Sequence, residues 1–228
     1  MADSQQLIFD WPQRPALGRE DFLVTSCNQD AVDWIDLWPN WPAPALIVHG
    51  PPGCGKSHLA AVWQARTGAA SIDKSALVDF ASRQESDNKN YLLEDASDVA
   101  DETALFHLFN WVSDNGGSLL LTAQHPAIRW NIRLPDLVSR LRAAPSVAIG
   151  TPDETLIECL LVKMAMDRQL DIEPEVIAYL LPRMERSYSA ARLLVTRLDE
   201  MALARKRTVT VPLARDVIRE INSGSDRV

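Results

Sequence analysis

Cysteine is scarce in these 228 residues: Cys27, Cys54 and Cys159 are the only three. They are widely scattered, and no pair has metal-ligand or redox spacing. A disulfide framework and a zinc site are both excluded, and reduced thiols are expected. Long apolar runs are missing too, since none approaches the roughly 18 residues that a membrane helix needs. The N-terminal stretch MADSQQLIFDWPQRP has neither the basic start nor the apolar centre of a secretory signal. A soluble, cytoplasmic protein with no membrane partner is the expectation. Positive charge is in the minority, 23 Lys and Arg against 31 Asp and Glu, for a net charge of −8. Such a chain is repelled by a phosphate backbone unless it concentrates its cations locally, so strong direct DNA binding is not expected. No repeat or low-complexity tract interrupts it.

What is present is ordinary globular material, with 46% hydrophobic and 24% charged residues, long enough for a core domain plus a smaller one. The short apolar runs ALIVHG (45–50), AASI (69–72), YLLEDA (91–96), SLLLTA (118–123) and SVAIG (146–150) read as buried strands. Between them lie helical patterns, at 56–67, 102–113 and 134–143, with one more near 28–37 ahead of the first strand. Strands alternating with helices predict an α/β fold with a five-stranded parallel sheet covered on both faces. After Thr151 the texture changes. The segments 152–170, 174–184, 189–206 and 212–222 are all helical, which predicts a small all-helical domain. The expected divisions are an N-terminal arm at 1–21, an α/β core at 22–150 and a helical lid at 151–228.

The segment GPPGCGKS (50–57) fits G-x-x-x-x-G-K-[ST] in the context that gives the pattern meaning, after a strand and opening a helix. Gly50, Gly53 and Gly55, with Pro51, Pro52 and Cys54 between them, let successive backbone N–H groups turn toward phosphate oxygens. Lys56 brings a charge to the β and γ phosphates. Ser57 brings a hydroxyl to Mg²⁺, and the helix start adds its positive dipole end. ATP or ADP with Mg²⁺ is the expected ligand. YLLEDA ends in Glu94-Asp95, so one carboxylate is placed to reach the metal through water and the other to polarise an attacking water. Gln124 follows the next strand, where a polar side chain can reach the γ-phosphate.

In this order, a phosphate loop, an acidic strand end, a polar strand end, an SRL segment and a helical lid resemble an AAA+ P-loop NTPase. The residues GPPGCGKSHL (50–59), LLED (92–95), LLLTAQHP (119–126), LPDLVSRL (134–141), TPDETL (151–156) and SAARLL (189–194) resemble the branch of the replication initiator DnaA, and within it the shorter Hda type. The resemblance implies that Phe22, Leu23, Val24 and Asn28 wall an adenine pocket and that His58 belongs to the phosphate-loop segment. It further implies that Glu94 stands where the family has its metal-associated Asp, Asp95 where it has the second acid, and Gln124 at its first sensor. Arg140 matches the arginine finger that acts on a neighbouring subunit's nucleotide, with Arg129, Arg133 and Arg142 close by in sequence. Arg192 matches the second sensor. Gln5, Gln6, Leu7, Ile8 and Phe9 resemble a peptide that binds the DNA polymerase sliding clamp, with apolar anchors and a rim-bonding amide. The implied partners are DnaA and the clamp, and a homodimer stays open.

Two departures bear on function. The chain offers nothing after the lid to supply the helix-turn-helix with which DnaA reads DNA. Glu94 is longer than the family's Asp, which implies weak intrinsic ATP hydrolysis. The family-level expectation is a regulator that activates DnaA's ATPase in trans. The competing readings are an autonomous helicase-loader ATPase resembling DnaC and a P-loop kinase of small molecules.

Overall fold

A computed structural model of the chain describes residues 22–78, 88–205 and 208–225. Its core is a five-stranded parallel sheet in the order β2-β3-β4-β1-β5. The strands are β1 (Ala45–His49), β2 (Ala70–Ile72), β3 (Asn90–Leu93), β4 (Ser118–Ala123) and β5 (Ser146–Ala148). Helices α1 (Gln29–Asp36), α2 (Lys56–Thr67), α3 (Glu102–Asp114) and α4 (Pro135–Ala143) complete this part. Side chains alternate across the strands with period two. On one face Leu46, Val48, Leu92, Leu120 and Val147 pack with residues of α1 and α2. On the other, Ala45, Ile47, Leu93, Leu119 and Leu121 pack with residues of α3 and α4. Both faces are dry, which is why these strands read as continuous apolar runs.

The prolines and tryptophans at 38–42 belong to this packing. Trp41 stacks on the fully buried Trp63 of α2 with centroids 5.6 Å apart, and Trp38 meets the same ring edge-on at 6.5 Å. Their indole N–H groups donate to Trp34 O (2.7 Å) and Ser118 Oγ (3.0 Å). A tryptophan buried this deeply contributes several kcal/mol, roughly 3–5 by comparison with truncation to Ala.

The remainder is helical: α5 (Glu154–Asp167), α6 (Pro174–Leu180), α7 (Tyr188–Arg205) and α8 (Val211–Ser225). A second core forms there around Leu156, Leu161, Leu180, Leu194, Leu198 and Val217, with Leu23 and Cys27 packed against it. Local chemistry sets the ends. Asp153 accepts from Leu156 N (2.7 Å) and starts α5 two residues later than the apolar pattern begins. Pro182 divides the predicted 174–184 helix into α6 and a 3₁₀ turn, because proline lacks the N–H that a continuing helix needs. Strand β3 ends at Leu93, short of the predicted acidic pair, because Asp95 takes a left-handed turn (φ 49°). No helix among the described residues is long and apolar enough to cross a membrane.

Candidate nucleotide site

The C-terminal ends of parallel strands leave a crevice where ligands of α/β sheets bind. Residues 50–57 run from the end of β1 into α2 at this edge. Gly50 N donates to Ala123 O of β4 (3.1 Å), which fastens the loop to the sheet. A Cβ at Gly50 would lie 2.3 Å from Ile149 O, so only glycine lets these backbones approach so closely. Lys56 is buried, and its ammonium donates to Gly50 O (2.8 Å) and Pro51 O (2.9 Å). The cation therefore lies folded into the loop that it serves. Burial pushes the Cys54 thiol up, against the nearby positive charge of Lys56. Ser57 opens α2 with an exposed hydroxyl.

Of the acidic pair, Glu94 and Asp95 face different surroundings. Glu94 Oε1 is buried with no hydrogen-bond partner among the described residues. A buried acceptor left unmade costs roughly 1–3 kcal/mol, so Glu94 fits a site that brings a cation or a donor to it. Asp95 is exposed, and its backbone N–H donates to Thr122 Oγ1 (3.2 Å). Thr122, inside β4 and 1% exposed, ties the two strand ends together. Gln124 lies beyond β4 and is exposed. Thr122 escaped the sequence reading because an apolar run with one hydroxyl looks like any buried strand. The donor set of Glu94 and Ser57 suits a hard divalent cation that completes its shell with phosphate oxygens and water. Among the described residues no group of three or more His, Cys, Asp or Glu could hold a metal without such help.

His49, at the end of β1, is held below its ordinary pKa of 6.5, by burial first and then by its neighbours His125, Arg129 and Lys56. This edge of the sheet is thus rich in cationic groups although the chain as a whole is acidic.

Beside the loop is an open cleft lined by Phe22, Asn28, Cys54, His58, Leu156 and Tyr188 among others. Phe22 meets the His58 ring edge-on at 5.1 Å, and His58 meets Tyr188 at 5.8 Å. Aromatic edges and aliphatic side chains of this kind accept a flat base. Asn28 lines the cleft, but its amide is engaged in shaping the strap before α1: Nδ2 donates to Leu23 O (2.9 Å) and Oδ1 accepts from Thr25 N (2.9 Å). Of the segment predicted at the adenine wall, Phe22 and Leu23 line the cleft, whereas Val24 is 36% exposed and does not. Tyr188 was not singled out in the sequence. The signal for it is the serine two positions before the helical run SAARLL, which marks a helix start.

The two arginines lie apart from this cleft. Arg140, in α4, rests over the rings of Phe106 (5.3 Å) and Phe109 (5.7 Å) of α3. Among the described residues no carboxylate forms an ion pair with it. Arg129, Arg133 and Arg142 are exposed, as is Arg192 in α7, one helical turn beyond Tyr188. Gln5, Gln6, Leu7, Ile8 and Phe9 lie outside the described residues.

Residues 153–218 match the family described as "Hda, lid domain". The lid of this chain is thus of the Hda type. Domain III of the replication initiation protein DnaA from Thermotoga maritima matches at a TM-score of 0.79 and 18% identity, covering 92% of this chain and 98% of that one. AMPPCP-bound DnaA from Aquifex aeolicus matches at a TM-score of 0.67 and 21% identity, over 84% of this chain and 68% of that one. The RuvB Holliday junction branch migration motor of Thermotoga maritima shares the fold more distantly, at a TM-score of 0.69 and 13% identity, over 90% of this chain and 72% of that one. The AAA+ core and the Hda-type lid thus meet at the cleft that both of them line.

Proposed function

We propose that this chain is an adenine-nucleotide-binding regulator of replication initiation that accelerates hydrolysis of DnaA-bound ATP while tethered to the DNA-loaded sliding clamp. One observation carries the reading: Arg140 rests on two aromatic rings, without a described acid partner, in a DnaA-related AAA+ fold with an Hda-type lid. An arginine supplied in trans to a phosphoryl group stabilises the charge that develops during transfer and accelerates it roughly 10³–10⁵-fold. Gln5 to Phe9 would hold the clamp.

The chain's own site would take ATP or ADP in the cleft, with the phosphates on the 50–57 loop. AMPPCP, which the Aquifex DnaA binds, is a nucleotide of this class. Ser57 and Glu94 would hold Mg²⁺, which spreads the negative charge of the phosphates. Lys56 would exchange its two carbonyl partners for phosphate oxygens. Asp95 would orient water, Gln124 would face the terminal phosphate and Arg192 would reach back from the lid. The longer Glu94 fits slow turnover of this resident nucleotide, which acts as a structural ligand while chemistry proceeds on the partner.

The test loads DnaA with labelled ATP, adds DNA-bound clamp and this protein, and counts ADP. Acceleration that requires the clamp and falls at least tenfold in Arg140→Ala is expected. Equal acceleration by Arg140→Ala would remove the finger assignment. Turnover by this chain alone, stimulated by single-stranded DNA and indifferent to the clamp, would favour a helicase loader.

A further inference from the structure

The lid touches the phosphate loop directly, at the first turn of α7. Tyr188 N donates to Gly53 O at 2.9 Å. Gly53 has φ +71°, and a Cβ on it would lie 2.8 Å from Ser187 Cβ and 3.1 Å from Ser189 Oγ. The two backbones are therefore as close as they can come. Ser187 is 2% exposed and caps the helix, its Oγ accepting from Ala190 N (3.1 Å) and lying 3.1 Å from Ser189 Oγ. The Tyr188 ring continues the contact onto His58 of α2 and, through it, to Phe22. One residue of the lid thus holds the loop through its backbone and the cleft through its ring.

A loop whose N–H groups turn inward to a phosphate turns carbonyls outward. Gly53 O is such an outward carbonyl, and Tyr188 N–H receives it. We propose that this seam makes phosphate binding and lid docking one linked equilibrium, with Tyr188 as the positioning residue. Whatever orders the loop presents the acceptor, and whatever docks the lid orders the loop, by the same factor in each direction. This rests on the nucleotide-binding reading above.

The N–H can be deleted on its own terms, because Tyr188 is the first residue of α7, where proline is tolerated. Tyr188→Ala removes the ring and keeps the N–H, whereas Tyr188→Pro removes both. Their difference reports the hydrogen bond. The probes are ADP affinity by calorimetry and amide exchange along α7 with and without ADP. In the unaltered protein ADP slows exchange in the first turns of α7. Tyr188→Ala binds ADP a fewfold more weakly and keeps the slowing. Tyr188→Pro binds about tenfold more weakly again, the effect of one hydrogen bond of about 1.4 kcal/mol, and loses the slowing. Equal affinity and equal exchange in the two variants would overturn the seam. Should Tyr188→Pro fail to fold, Ser189→Val takes its place. It wedges a branched side chain against Gly53 and lowers ADP affinity about fivefold, and unchanged affinity there overturns the proposal as well. No ADP binding by the unaltered protein would sink the nucleotide reading along with it, while normal binding with indifferent variants sinks the seam alone.

Discussion

His49 is a single side chain with a measurable consequence. Burial and three neighbours lower its pKa, so the fold holds it neutral where an unfolded chain binds a proton. Its stabilising contribution is complete above the ordinary value of about 6.5 and declines as the pH falls from there through the lowered folded value. His49→Gln, which cannot be protonated, should flatten that decline. Urea unfolding of both proteins at about pH 8 and about pH 5.5 checks it, and the loss of stability on the acid side should be smaller in His49→Gln. At this scale the sequence was least informative. A histidine ending an apolar run says nothing of His125 and Arg129, about eighty residues away, nor does the pair Glu94-Asp95 say which carboxylate turns inward. Those choices depend on turns such as that at Asp95, where a left-handed residue redirects the chain.

Elements were far more legible. The run ALIVHG became β1 but for its final glycine, and KSHLAAVWQART became α2 to the residue, because strand and helix periods are set by which neighbours the side chains face. Ends were misjudged where a side chain or a proline decides them, as at Asp153 and Pro182. The tryptophans at 38 and 41 could not be placed from their sequence, since adenine wall, arm packing and partner surface all accept large rings. Their destination is α2. Trp63, between them, has its indole nitrogen buried without a partner among the described residues. Trp63→Ala should therefore cost roughly 3–5 kcal/mol, whereas Trp63→Phe, which removes that unmade donor, should cost less than about 2. Chemical denaturation of the two variants measures the difference, and equal losses would show that volume alone matters there.

The described residues pack as an α/β part with an apolar cluster on each face of its sheet and a helical part with a cluster of its own, and a ligand seated in the cleft that both parts line would stabilise both. With ADP at about a hundred times its dissociation constant, unfolding should cost about 2.7 kcal/mol more, and the melting temperature should rise accordingly. Lys56→Ala should abolish the rise while melting close to the unliganded protein, since among the described residues its ammonium contacts only the loop's own carbonyls and Cys54. The α/β class, the phosphate loop and the helical remainder could all be read from the chain, because each is written in contiguous residues. The approach of Ser187 to Gly53 could not, since it joins positions 134 apart.

Arg140 shows how a charge can be stored. Phe106 and Phe109 offer it the negative faces of their rings, which hold a guanidinium without neutralising it. A carboxylate would have to be displaced before the cation could serve elsewhere, and that displacement would appear as a barrier. Rings give up their guest more readily than a carboxylate does, so under the proposed function an approaching polyphosphate would meet a cation with no described acid to displace.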